Sequence, residues 1–133
     1  MTIVPNTARA TKRWKLLKGT DEFQGHTSSI EVTPTIVSWQ GGDGNSVVDD
    51  DGCTVAIVMA QDTENPLSLW SVMRTGAGEK ATLVINPHHD GTFEESVDVT
   101  LVRPPLRMAR GGAIPEVTVN LTGVYTPPAP VTP

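Results

Sequence analysis

The chain has 133 residues, 10 Lys and Arg against 15 Asp and Glu, a net charge of −5 and 38% hydrophobic residues. That suits one domain with a modest core, and 12 glycines with 11 prolines are too few for a collagen-like or wholly disordered chain. No apolar run reaches the ~18 residues of a membrane-spanning helix, no charged-then-apolar leader opens the sequence, and the lone Cys53 has no partner for a disulfide. A soluble chain is therefore expected, folded in a reducing cytoplasm and not passed through secretion.

Residues 1–10 lack any hydrophobic period and are expected to form a flexible N-terminal arm. One domain, residues 11–126, follows. "KRWKLLKG" reads as a short strand closed by Gly19, and "TDEFQGH" as a turn. "TSSIEVTPTIVSW" alternates, with Ile30, Val32, Pro34 and Ile36 on one face and Glu31, Thr33 and Thr35 on the other. Period two marks a half-buried strand, and Pro34, lacking an N–H, places it at a sheet edge or a bulge. Residues 40–52, "QGGDGNSVVDDDG", read as a 13-residue polar loop. The nearly continuous apolar run "CTVAIVMA" reads as a central strand covered on both sides, with Cys53 a buried thiol.

A short helix is expected over residues 66–75. Asn65 is placed at its N-cap and Pro66 at its first position, where the missing N–H costs nothing. Leu67, Trp70 and Met73 are its expected anchors, and Gly76 its left-handed C-cap. So short a helix is unstable alone and must lie on the sheet. "KATLVINP" is a strand and "HHDGTFEE" a turn. "SVDVTLVRP" alternates Val97, Val99 and Leu101 against Asp98 and Thr100. "PEVTVNLTGVY" alternates Val117, Val119 and Leu121 against Thr118, Asn120 and Thr122. Residues 127–133 form a proline-rich tail, expected to be extended and disordered.

No motif for chemistry emerges. His88, His89 and Asp90 sit at an Asp-Gly turn, where adjacent side chains diverge. The Asp49, Asp50 and Asp51 run lacks the alternating oxygens and closing glutamate of a calcium loop. "GGDG" lacks the lysine of a phosphate loop, and no serine has a nucleophile context. No catalytic residue, metal ligand or cofactor is assigned, and the chain is expected not to be an enzyme. Charge is uneven along it: Arg9, Lys12, Arg13, Lys15 and Lys18 open it, acids dominate from Asp21 to Asp98, and Arg103, Arg107 and Arg110 follow.

The order of these pieces resembles the major tail tube proteins of long-tailed bacteriophages. The likeness lies in a Trp-containing first strand, "T…P…VSWQGG", "NPLSLWSVMRTGAGE" leading into "KATLVINP", and the late "GGAIPEVTVNLTGVYTPP". It spans roughly residues 11 to 128. The resemblance implies a mainly β, tail-tube-type β-sandwich with one short flanking helix. Six copies would form a ring whose inner sheets join into a β-barrel, and rings would stack into the virion's tail tube, through which genomic DNA passes without specific binding. It also implies assembly in the host bacterial cytoplasm with tape measure, tail terminator and distal tail proteins. On that frame the polar faces supply lumen-facing candidates: Glu31, Thr33, Thr35, Asp98, Thr100, Thr118, Asn120 and Thr122. Inter-subunit candidates are Arg9, Lys12, Arg13, Asp49, Asp50, Asp51, Arg103, Arg107 and Arg110. The alternative is a non-catalytic β-sandwich that binds a ligand or decorates a capsid.

Overall fold

The computed structural model describes residues 2–126, without the side chains of residues 47–51. The expected C-terminal tail, residues 127–133, lies outside the described residues. Seven strands occur among them: β1 (Lys15–Lys18), β2 (Asp21–Glu22), β3 (Thr27–Gln40), β4 (Ser46–Ala60), β5 (Lys80–Asn86), β6 (Glu95–Thr100) and β7 (Glu116–Tyr125). One helix, α1 (Leu69–Thr75), stands between β4 and β5. The protein is mainly β.

All ladders are antiparallel and join into one sheet, ordered β2-β1-β5-β6-β7-β4-β3. The strands expected in a sandwich thus hang together as one sheet, folded across its own core. Leu16, Leu83 and Val97 from one half meet Val55, Ile57, Val119 and Leu121 from the other in a single cluster. Alternation dictates this: each strand turns every second residue inward, and burying those residues is the main drive to fold. The outermost strands, β2 and β3, form no ladder with each other among the described residues, so the sheet is open.

The fold turns at the β6–β7 junction. These strands pair only through Val97↔Tyr125, Asp98↔Val124 and Val99↔Gly123, while the rest of β7 pairs with β4 alone. Gly123 makes the junction possible. A Cβ there would run into the Asp98 carbonyl oxygen and lie 2.8 Å from Val99 Cγ1. Glycine inside a strand often marks such a corner.

Residues 40–52 are not a loop. β3 and β4 continue as a two-stranded ribbon, paired through Val37↔Asp49, Ser38↔Val48, Trp39↔Val47 and Gln40↔Ser46, and only residues 41–45 turn. Gly41 N donates to the Asn45 carbonyl at 2.7 Å, and Gly44 takes a φ of +90° that suits glycine. The polar composition concealed a ladder that needs no buried face. A register shift between Thr35 and Val37 precedes the ribbon. Beyond it Ile36, expected inward beside Ile30 and Val32, is 67% exposed because no other strand flanks the ribbon.

β4 is central, between β3 and β7, but it is not fully covered on both sides. Cys53, Val55, Ile57 and Met59 are buried, while Thr54, Ala56 and Val58 on the other face are half-buried. β3 is an outer strand, as the proline at position 34 requires.

α1 starts later than the sequence implies. Its N-cap is Ser68, whose Oγ accepts from Ser71 N at 3.2 Å and donates to the Asp62 carbonyl at 2.8 Å. Asn65 instead closes the preceding turn, its Oδ1 accepting from Leu67 N at 3.0 Å. The shift of three residues turns Leu67 out, 75% exposed, and puts Leu69 with Trp70 and Met73 in the core. Gly76 is the C-cap but is not left-handed, with φ −96°. A Cβ at Gly76 would stand 3.2 Å from Leu101 Cδ1 and 3.3 Å from the Val72 carbonyl, so close approach accounts for the glycine there, and positive φ falls to Gly78 at +92°.

Candidate functional site

The eight lumen-facing candidates fall on one face of the sheet, opposite the core. Three rows cross it from β3 through β4 to β7. Glu31 stands opposite Ala56 and Ala56 opposite Asn120; Thr33, Thr54 and Thr122 make the next row; Thr35, Gly52 and Val124 the third. The third row runs on through Asp98 to Thr82, whose hydroxyl donates to Asp98 Oδ1 at 2.6 Å. Thr118 lies beside Val58, one row nearer the strand's start. Small β-branched and amide side chains keep this surface polar and low. Among the described residues its charges across β3, β4 and β7 are the carboxylates of Glu31 and Glu116, and these three strands contain no Lys or Arg. Thr100 is at the far corner, where its ladder partner is a cation, Lys80.

Period two was a sufficient signal for this face, because all these strands bury the opposite side. What alternation does not reveal is the order of strands. The rows exist because β4 lies between β3 and β7, a nonlocal pairing that no local pattern encodes.

The helix anchors hold as two of three. Trp70 and Met73 are buried and Leu67 is not. Trp70 Nε1 donates to the Pro105 carbonyl at 3.1 Å, and the Arg74 guanidinium lies 4.8 Å from its ring centre. Trp70 therefore fastens the irregular segment 101–115 as well as the helix. Gln61, which drew no notice in the sequence, does the same from just past the end of β4: Arg107 N donates to its Oε1 at 2.7 Å and its Nε2 donates to the Arg107 carbonyl at 2.9 Å. One side chain thus imitates a strand partner. Arg103, Arg107 and Arg110 are exposed on this segment.

The basic N-terminal residues separate into two settings. Arg9 pairs with Asp90 inside the chain, Nη2 to Oδ1 at 2.7 Å, both ends exposed. The hydrogen bond from Arg9 holds the Asp90 carboxyl below its ordinary range. Lys12 and Arg13 line an open cleft of about 440 Å³ with Trp14, Lys15, Thr27 and His89. An adjoining cleft of about 350 Å³ lies between Trp14, Ile85 and the start of β3 at Ser28 to Ile30. The Trp14 indole N–H, donating to Thr27 Oγ1 at 3.2 Å, ties the two outer regions of the sheet together. Asp49, Asp50 and Asp51 lie on β4, but their side chains are outside the described residues, so their expected contacts are untouched.

His88 to Gly91 is a turn, with Gly91 N donating to the His88 carbonyl at 3.0 Å and Asp90 engaged by Arg9. Among the described residues no three His, Cys, Asp or Glu side chains cluster as metal ligands. Burial, then the charge of Glu95, pushes the Cys53 thiol up, away from the reactive thiolate. The chain matches no protein-family model and no curated protein sequence.

Proposed function

We infer that the chain is a structural virion protein, the subunit of a phage tail tube. In this reading six copies close into a ring, the β3 edges and neighbouring sheets join into one tail-tube β-barrel, and rings stack into a conduit for DNA ejection. Tape measure, tail terminator and distal tail proteins are its proposed partners, and the tube assembles in the bacterial cytoplasm. The observation that carries the reading is the polar, cation-free face of β3, β4 and β7, bordered by a 14-residue strand with an open edge. A long open edge is a template for pairing with another chain. A wall without cations gives phosphate nothing to hold, so a duplex slides past it. The sequence resemblance points the same way.

Electron microscopy of the concentrated, purified protein tests this. Rings of six and stacked tubes are expected. A protein that stays monomeric and instead coats capsid shells would sink the tube reading in favour of a decoration module.

A further inference from the structure

The two clefts beside Trp14 share that residue and differ in character. One is largely apolar: half-buried Trp14, Ile30 and Pro87 and buried Ile85 wall it, with Ser28 and Ser29 on its β3 side. The other is cationic: Lys12, Arg13, Lys15 and His89 line it, and none of its lining residues is an acid. The wall between them is held in place. Trp14 Nε1 donates to Thr27 Oγ1 at 3.2 Å, and Thr27 Oγ1 donates in turn to the Gln24 carbonyl at 3.0 Å. His89 N donates to the Arg13 carbonyl at 2.8 Å.

The neighbouring carboxylates are engaged elsewhere. Glu22 takes Lys15, with Nζ to Oε1 at 3.7 Å. Asp90, next to His89, is held by Arg9 at 2.7 Å. Glu116 accepts from the Ser28 hydroxyl at 3.4 Å. Lys12 and Arg13 are exposed and have no ion pair among the described residues. At about 350 and 440 Å³, each cleft is of a size that holds a small molecule. Small-molecule sites are mostly apolar, with a few polar groups that fix orientation. Here the two parts lie side by side. A charged head alone would leave the apolar wall wet, and an apolar body alone would leave the cations unpaired.

We propose that the paired clefts at Trp14 bind a small anionic amphiphile, a short hydrocarbon chain ending in a carboxylate or phosphate. The chain lies against Trp14, Ile30, Ile85 and Pro87, where its burial drives binding. The head accepts from the Lys12 ammonium and the Arg13 guanidinium, whose planar fork suits two oxygens of one head. A free acid and the headgroup of an anionic lipid both offer this chemistry. The site is complete within one copy and stands apart from the tube reading.

Equilibrium dialysis of the full-length protein against radiolabelled octanoate, kept below micelle-forming concentration, tests it. Saturable binding is expected. Octanol, which lacks the charge, and acetate, which lacks the chain, should each bind about tenfold or more weakly. Lys12→Gln with Arg13→Gln, at exposed positions, should weaken octanoate about tenfold or more and leave octanol unchanged. Ser29→Trp fills the apolar cleft and should weaken both ligands. Thr11→Trp, on the exposed N-terminal segment, fills the same cleft and replaces Ser29→Trp if that variant melts early. No saturable binding, octanol binding as tightly as octanoate, or octanoate binding unchanged by the variants overturns the site. Pelleting with phosphatidylglycerol vesicles separates the two sources. Pelleting that the Lys12 and Arg13 changes abolish points to a lipid surface, and octanoate binding without pelleting points to a free acid; either supports the site. A protein that binds octanoate yet stays monomeric in micrographs keeps the site and defeats the tube reading, and tubes made by a protein that binds none do the reverse.

Discussion

Gly123 is the residue on which the folded-over sheet depends most directly. The obstacle to any side chain there is the Asp98 carbonyl, a backbone atom that moves only if β6 and β7 separate. Gly123→Ala should therefore cost roughly 3 kcal/mol, the upper part of the range for overpacked sites. Gly52→Ala is the control: its Cβ would meet Thr35 Cβ at 3.7 Å, ordinary contact. Urea denaturation of the two variants measures the difference. Asp90 gives a second residue-scale prediction. Its pKa is depressed by Arg9 in the fold, so the stability it contributes is present above the ordinary carboxylate value of 3.8 and is lost as pH falls through the lower folded value. An NMR titration should find the Asp90 midpoint below 3.8, and Arg9→Ala should return it toward that value. Both ends are exposed, so the pair orients the N-terminal segment more than it stabilises the fold.

Helix and ribbon show what local sequence carries and what it leaves out. The "NPLSLW" stretch holds two rival starts, Asn65-Pro66 and Ser68, and propensity favours the first. Ser68 prevails because its hydroxyl reaches both Ser71 N and the Asp62 carbonyl, and the chain path between β4 and α1 sets that second contact. The hydrophobic period survives the shift, with Leu69 replacing Leu67. Leu69→Ala should cost about 2–5 kcal/mol, while Leu67→Ala should stay within about 0.5. Trp70→Ala should cost about 3 kcal/mol or more. Trp70→Phe keeps much of the packing but loses the bond to Pro105, for about 1 kcal/mol. Thermal melts of the four variants rank them, and equal losses at positions 67 and 69 would return the helix to its earlier start. Alternating strands β3, β6 and β7 were legible because burial on one face writes period two into the chain. The ribbon was not, because its pairing buries little and leaves no hydrophobic record. Nor was Gln61 legible, since its role depends on a partner 46 positions away.

At the scale of the whole molecule, the outer face and its open edge must act together if the chain lines a conduit. Sixfold repetition multiplies whatever one face presents. The row from Glu31 through Ala56 to Asn120 holds a single carboxylate and no cation, so a ring would present a mildly negative band to passing phosphate. Such a wall neither retains DNA nor strongly repels it. Glu31→Lys with Asn120→Lys reverses this without touching the core, because both positions are exposed. A ring of the variant would carry about two added cations per copy, and each phosphate they neutralise adds about 0.9 to the slope of log binding against log salt. Tubes of the variant should therefore bind short duplex DNA at low salt and release it steeply as salt rises, while wild-type tubes bind little at either. Filter binding over a salt series measures both. If wild-type and variant tubes hold DNA equally, or if the variant binds DNA only as unassembled subunits, this face does not line the lumen, and the conduit wall must be sought on other strands.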